Sequence, residues 1–129
     1  MVAWLFAGGA LAAEKTPVDW VEPRSGTPAG TRWIFFSSAS RPFGLVNLSP
    51  DTRTGGDWGC GYIYDDTKIR CLSHLHGWQL YGLATMPFTG EAKGHLGMDA
   101  YQSAYSHDAE VVFPGYHKVL LQTYGVTAE

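Results

Sequence analysis

Charge, cysteine and long apolar runs are all scarce in this sequence. Of its 129 residues, 9 are Lys or Arg and 12 are Asp or Glu, which makes 16% charged and a formal net charge of −3. An average soluble domain carries about 25% charged residues, so the deficit points away from charged helical bundles and coiled coils. The basic residues are scattered from Lys15 to Lys118 and leave no footprint for nucleic acid or for an anionic membrane surface. The most apolar stretch, Met1 to Ala13, is shorter than the roughly 20 residues that cross a bilayer, so no membrane span is expected. With only two cysteines and no Cys-x-x-Cys or His-x-x-x-His spacing, a zinc site is a weak reading of Cys60 and Cys71 beside His74 and His76.

What is present is 16 Gly, 7 Pro, 14% aromatic and 45% hydrophobic residues, enough apolar material for one core and too much for disorder. Residues 1–13 read as the apolar region of a secretory leader ending in small residues, although no Lys or Arg precedes Lys15. Such a leader places the protein in the periplasm or outside the cell, where disulfides persist.

Beyond the leader, short extended runs alternate with turn residues, the pattern of an all-β, antiparallel β-sandwich. The expected strands are Arg32 to Ser37, Phe43 to Leu48, Cys60 to Tyr64, Lys68 to His74, Gln79 to Pro87 and Tyr116 to Tyr124; no run reads as helical. Asp65-Asp66-Thr67 supplies turn chemistry, which predicts a hairpin from Cys60 to His74 with Ile63, Ile69 and Cys71 in the core. Cys60 and Cys71 are then either a cross-strand disulfide or two small buried side chains. Ser49 to Gly59 and Thr89 to Gly97 read as long loops, and Tyr124-Gly125 as a turn followed by an alternating strand that is cut short at Glu129.

The aromatics Trp58, Tyr62, Tyr64, Trp78 and Tyr81, interleaved with Asp57, Asp65, Asp66, Gln79 and histidines, suit a sugar ring: flat apolar faces with a polar rim. β-Sheets also favour aromatics for packing, so each except the loop residue Trp58 has core as its simpler reading. His74 and His76 alternate onto one strand face, in a paired structural role or against a ligand. Asp65 and Asp66 are adjacent and point oppositely, so they form no acid/base pair.

Four motifs in order carry a resemblance: Arg41-Pro-Phe-Gly-Leu-Val-Asn-Leu-Ser-Pro-Asp-Thr-Arg53, Asp57-Trp-Gly-Cys-Gly-Tyr-Ile-Tyr64, Ile69-Arg-Cys-Leu-Ser-His-Leu-His76, and Ser106-His107 with Pro114-Gly-Tyr-His-Lys-Val-Leu-Leu121. Residues 40–129 resemble the N-terminal domain of glycoside hydrolase family 92, the exo-acting α-mannosidases; residues 14–39 are a loose match. His76-Gly-Trp-Gln-Leu-Tyr-Gly82 departs from a Ser-Gly-x-Gly run found in many members.

The resemblance implies an incomplete N-terminal β-sandwich, residues 14–129, truncated before an α/α toroid catalytic domain of the same polypeptide. It also implies calcium-dependent inverting hydrolysis of mannosides or N-glycan-type glycans. Calcium and the catalytic carboxylates belong to the toroid, so no catalytic residue and no metal ligand is assigned here, and the chain alone is expected to be inactive. Carried over to this sequence, Trp58 is the substrate-binding residue beside the leaving-group sugar, with Arg53, Cys60, His74 and His76 as weaker candidates. The alternative is a free-standing carbohydrate-binding sandwich without catalysis. A domain made to pack on a larger partner predicts marginal stability alone, with an exposed apolar face and an unpaired strand edge near Val126.

Overall fold

The computed structural model describes residues 13–27, 39–40, 44–54, 60–77 and 80–129. The leader, the run from Arg32 to Ser37, and Trp58 and Trp78 therefore lie outside the described residues. Those described form short antiparallel strands: β1 (Ser49–Asp51), β2 (Arg53–Thr54), β3 (Cys60–Gly61), β4 (Lys68–Ile69), β5 (Cys71–Gly77), β6 (Leu80–Thr85), β7 (Ser103–Ala104), β8 (Glu110–Phe113), β9 (Tyr116–Leu121) and β10 (Val126–Ala128). The helical segments among them are 3-10 turns of three or four residues, and none is long and apolar enough to cross a membrane.

Two three-stranded sheets, ordered β1-β5-β6 and β10-β9-β8, dominate, joined by the pairs β2-β3 and β4-β7. This is the expected all-β, sandwich-like class, incomplete in its layers. The β8-β9 hairpin turns on Pro114-Gly115, with Phe113 opposite Tyr116. Proline presets the first turn position, and Gly115, at φ 75°, takes a left-handed second position that a β-carbon would strain. The Tyr124-Gly125 turn also forms, with Gly125 at φ 62°, and brings Val126 opposite Leu121. β10 therefore stands at a sheet edge.

The core gathers Tyr62, Ile69, Tyr105, Val119 and Leu121, with Leu72, Met86 and Val126 packed against it. Ile63, Ile69 and Cys71 are buried as expected, at 3%, 0% and 1% exposure. Truncating Ile69 to Ala would destabilise the fold by about 2–5 kcal/mol. A cleft of about 510 Å³ opens between the two large sheets, lined by Pro50, Leu72, Met86, Val119 and Ala128 among others.

The predicted Cys60 to His74 hairpin does not form. Its turn is there, closed by Asp66 N–H donating to the Ile63 carbonyl at 3.1 Å. The arms then part: β3 pairs with β2, β4 with β7, and both edges of β5 are taken by β1 and β6. Local turn chemistry fixes a reversal, but the ladder partner is decided by distant strands. Cys71 is a free buried thiol, so the cross-strand disulfide reading falls with the hairpin.

Two further expectations are corrected. The described part of the Phe43 to Leu48 run is irregular, and pairing begins instead at Ser49, inside the expected loop. β1 is wholly buried although its sequence is Ser-Pro-Asp. Pro50 lacks an N–H, and β1 sits at the edge of its sheet, where a missing donor is tolerated.

Candidate functional site

A buried polar strand must bring its own hydrogen-bond partners, and β1 does so through Asp51. Asp51 is fully buried opposite Cys71 in the ladder. Its Oδ1 meets His76 Nε2 at 2.7 Å, while Oδ2 accepts from Ser73 Oγ and, at 3.5 Å, from Cys71 Sγ. His76 Nδ1 lies 2.7 Å from the Asn47 carbonyl oxygen. A carbonyl can only accept, so Nδ1 carries a proton. Burial works against the imidazolium, yet the Asp51 carboxylate and the Asn47 carbonyl hold the His76 pKa above its ordinary value. Burial, opposed by Ser73 and reinforced by Asp51, pushes the Cys71 thiol up to about 12. With both side chains of the ion pair at 0% exposure, this group is closed to any ligand.

A second buried carboxylate, Glu110 at the start of β8, ties β9 to the segment after β3. Its Oε2 meets His107 Nδ1 at 2.6 Å, its Oε1 meets His117 Nε2 at 2.8 Å, and Tyr62 Oη donates to both oxygens at 2.9 and 3.0 Å. His107 Nε2 donates to the Tyr64 carbonyl at 2.7 Å, and its ring stacks on Tyr64 with centroids 3.9 Å apart. Burial raises the Glu110 pKa, but bonds from His117, His107 and Tyr62 outweigh it and hold the carboxyl below its ordinary value.

The predicted site residues are divided among different surroundings. Arg53, on β2, is half exposed and grips Asp66 through Nε and Nη2, both at 2.9 Å. Burial disfavours the Asp66 carboxylate, but Arg53 and Thr52 bring its pKa below the ordinary value. Cys60, on β3, has its Cα opposite Thr54, so the two ends of the segment that carries Trp58 are held side by side. Trp58 itself and the Cys60 side chain are outside the described residues. His74 and His76 do not act as a pair: His74 Nδ1 donates to the Leu83 carbonyl at 2.8 Å, across to β6, whereas His76 turns to β1. That carbonyl belongs to the one described non-glycine residue with positive φ, 49° at Leu83.

Asp51, Ser73, His107, Glu110 and His117 were given no individual role from sequence, and Tyr62 was read as a core or sugar-facing ring, not as a partner of Glu110. All but Glu110 stand inside the quoted motifs, which was the available signal; nothing local to Glu110 marks it. Among the described residues no three His, Cys, Asp or Glu side chains come together to hold a metal ion. The carboxylates that are buried are already committed to protein partners, which makes them unsuited to a metal as they stand.

A profile of the glycosyl hydrolase family 92 N-terminal domain matches residues 20–129, extending the likeness upstream of the quoted motifs. A solved family 92 α-mannosidase from Bacteroides thetaiotaomicron is 33% identical over 92% of this chain, with a TM-score of 0.70. In its complex with mannoimidazole it is 36% identical over 86% of the chain, with a TM-score of 0.67. A family 92 inverting mannosidase from the same organism shares the fold at 24% identity over 86% of the chain, TM-score 0.66. The chain spans 16–17% of the length of these enzymes. A search of curated proteins finds no match.

Proposed function

The chain belongs to glycoside hydrolase family 92, and from that premise we propose that it is the N-terminal portion of a secreted, calcium-dependent exo-α-mannosidase that inverts configuration at the anomeric carbon. Its substrates are mannosides or N-glycan-type glycans, and its compartment is periplasmic or extracellular. The observation that carries the reading is the family match over residues 20–129 together with the length of the solved mannosidases, more than five times that of this chain.

In this reading the domain supplies pocket walls rather than reacting groups. The two most deeply buried carboxylates, Asp51 and Glu110, are locked to histidines and are not free for acid/base work. The calcium ligands, the acid and the base belong to the remainder of the enzyme, and this chain by itself is inactive. Trp58 offers a stacking wall beside the leaving-group sugar, and Arg53, held by Asp66, offers fixed N–H donors to hydroxyls. Of the weaker candidates, His76 is sealed in its pair with Asp51 and His74 Nδ1 is engaged by the Leu83 carbonyl, which leaves Arg53 as the more available partner for a sugar.

The test is mannose release by the full-length polypeptide. Hydrolysis of an α-mannoside followed by NMR should show β-mannose first, with activity lost on chelation of calcium and restored by its return. Release of α-mannose, or no mannose at all, would reject the reading. Trp58→Ala should reduce turnover of a disaccharide more than that of an activated aryl mannoside; equal losses would remove Trp58 from the pocket wall.

A further inference from the structure

A surface basin of about 570 Å³ lies where β2, the Ile63–Asp66 turn and β4 meet. Its charged lining is Arg53, Lys68, Arg70 and Asp66, with hydroxyls from Thr54 and Thr67 and the amide of Gln102. Arg70 Nη1 bonds Asp99 at 2.9 Å and Thr54 Oγ1 at 3.4 Å, and Arg53 is spent edge-on against Asp66. Lys68 is exposed, and among the described residues it makes no ion pair. Three cations therefore face two carboxylates at this spot, in a chain whose net charge is −3. Both guanidinium groups keep N–H bonds beyond those used, so the basin holds more donors than acceptors.

Across the same turn the balance reverses. A neighbouring hollow of about 420 Å³ shares Asp66 and Thr67 with the basin but is otherwise lined by Asp65, Asp108, Ser106, Tyr105 and the stacked Tyr64 and His107. An anion approaching the turn is drawn to one side and repelled from the other.

We propose that the basin binds an acidic sugar unit, one bearing a carboxylate or a sulfate ester, on the glycan that the domain faces; the proposal rests on the family reading for the presence of a glycan. The arginines and Lys68 take the acidic group. Thr54, Thr67 and Gln102 take ring hydroxyls. Among the described residues no aromatic face lines the basin, so charge and hydrogen bonding set its preference. The domain would thereby favour acid-decorated glycans over neutral ones.

Titrations of the chain followed by NMR, with glucuronate, a sulfated monosaccharide, neutral glucose and inorganic sulfate, test this. Either acidic sugar should bind about tenfold more tightly than glucose, the difference expected of one charge-assisted contact. Added salt should weaken the acidic sugars selectively. Lys68→Gln, at an exposed position, and Arg70→Gln should each abolish most of the preference. Equal binding of glucuronate and glucose, binding of both acids that survives in the two variants, or inorganic sulfate binding as well as the sulfated sugar would each overturn it. Loss of the preference while the full-length enzyme still releases mannose strikes this inference alone; acid-selective binding without mannose release strikes the enzyme reading alone.

Discussion

The two large sheets each bury a carboxylate among histidines, yet they use the same chemistry in opposite ways. In the β1-β5-β6 sheet, Asp51 and His76 form a closed pair at 0% exposure, and the notable shift is the raised pKa of the imidazole. In the β10-β9-β8 sheet, Glu110 is shared by two histidines and a tyrosine, one of the histidines 30% exposed, and the notable shift is the lowered pKa of the carboxyl. Both carboxylates have three side-chain partners, but those of Asp51 are all buried, whereas Glu110 leaves one of its partners open to water.

Removing the sealed contact should therefore do the most damage. Asp51→Ala leaves His76, Ser73 and Cys71 buried without their acceptor, and a loss of about 3–5 kcal/mol is expected by urea unfolding. A loss under about 1 kcal/mol would show that water enters the pair. Glu110→Gln keeps the volume and one acceptor, so a smaller loss of about 2–3 kcal/mol is expected. Tyr62→Phe removes only a shared donor and should cost about 1 kcal/mol, with Glu110 still held by His107 and His117.

The pH profile sharpens the contrast. Glu110 titrates below its ordinary 4.5 when folded, so its contribution is complete above 4.5 and fades as pH falls through the folded value. His76 titrates above its ordinary 6.5 when folded, so its contribution is complete below 6.5 and fades as pH rises through the folded value. Melting temperature should fall on both limbs. Glu110→Gln should flatten the acid limb and Asp51→Asn the alkaline one, and a single variant that flattened both would collapse the distinction. The smallest effect is expected at the surface, where Arg53→Ala breaks a half-exposed pair and should change stability by about 0.2–1 kcal/mol.

How far the sequence spoke differs between the same regions. The strand beginning at Tyr116, the Tyr124-Gly125 turn and the start of β10 were open to reading, because each rests on residues a few positions apart. β1 was not. Ser-Pro-Asp has the composition of a turn, and only the buried partners on β5 turn it into a strand. The Ile63–Asp66 reversal was legible while its continuation was not, since β5 chooses between partners as distant as β1 and β6. The family showed itself in four ordered motifs, but the motifs did not say that His74 would cross to Leu83 and His76 to Asp51. Glu110 was invisible, because a carboxylate among histidines from other segments leaves no local pattern.

Cys71 gives the molecule an internal clock. A thiol sealed in the core with a pKa near 12 is almost inert to alkylating reagents at neutral pH, because it is both covered and protonated. Alkylation of Cys71, followed by peptide mapping, therefore counts the openings of the β1-β5 ladder, one modified molecule at a time, without any engineered probe. Run beside hydrogen exchange at Tyr62 and Glu110, it would time the parting of one sheet against the other.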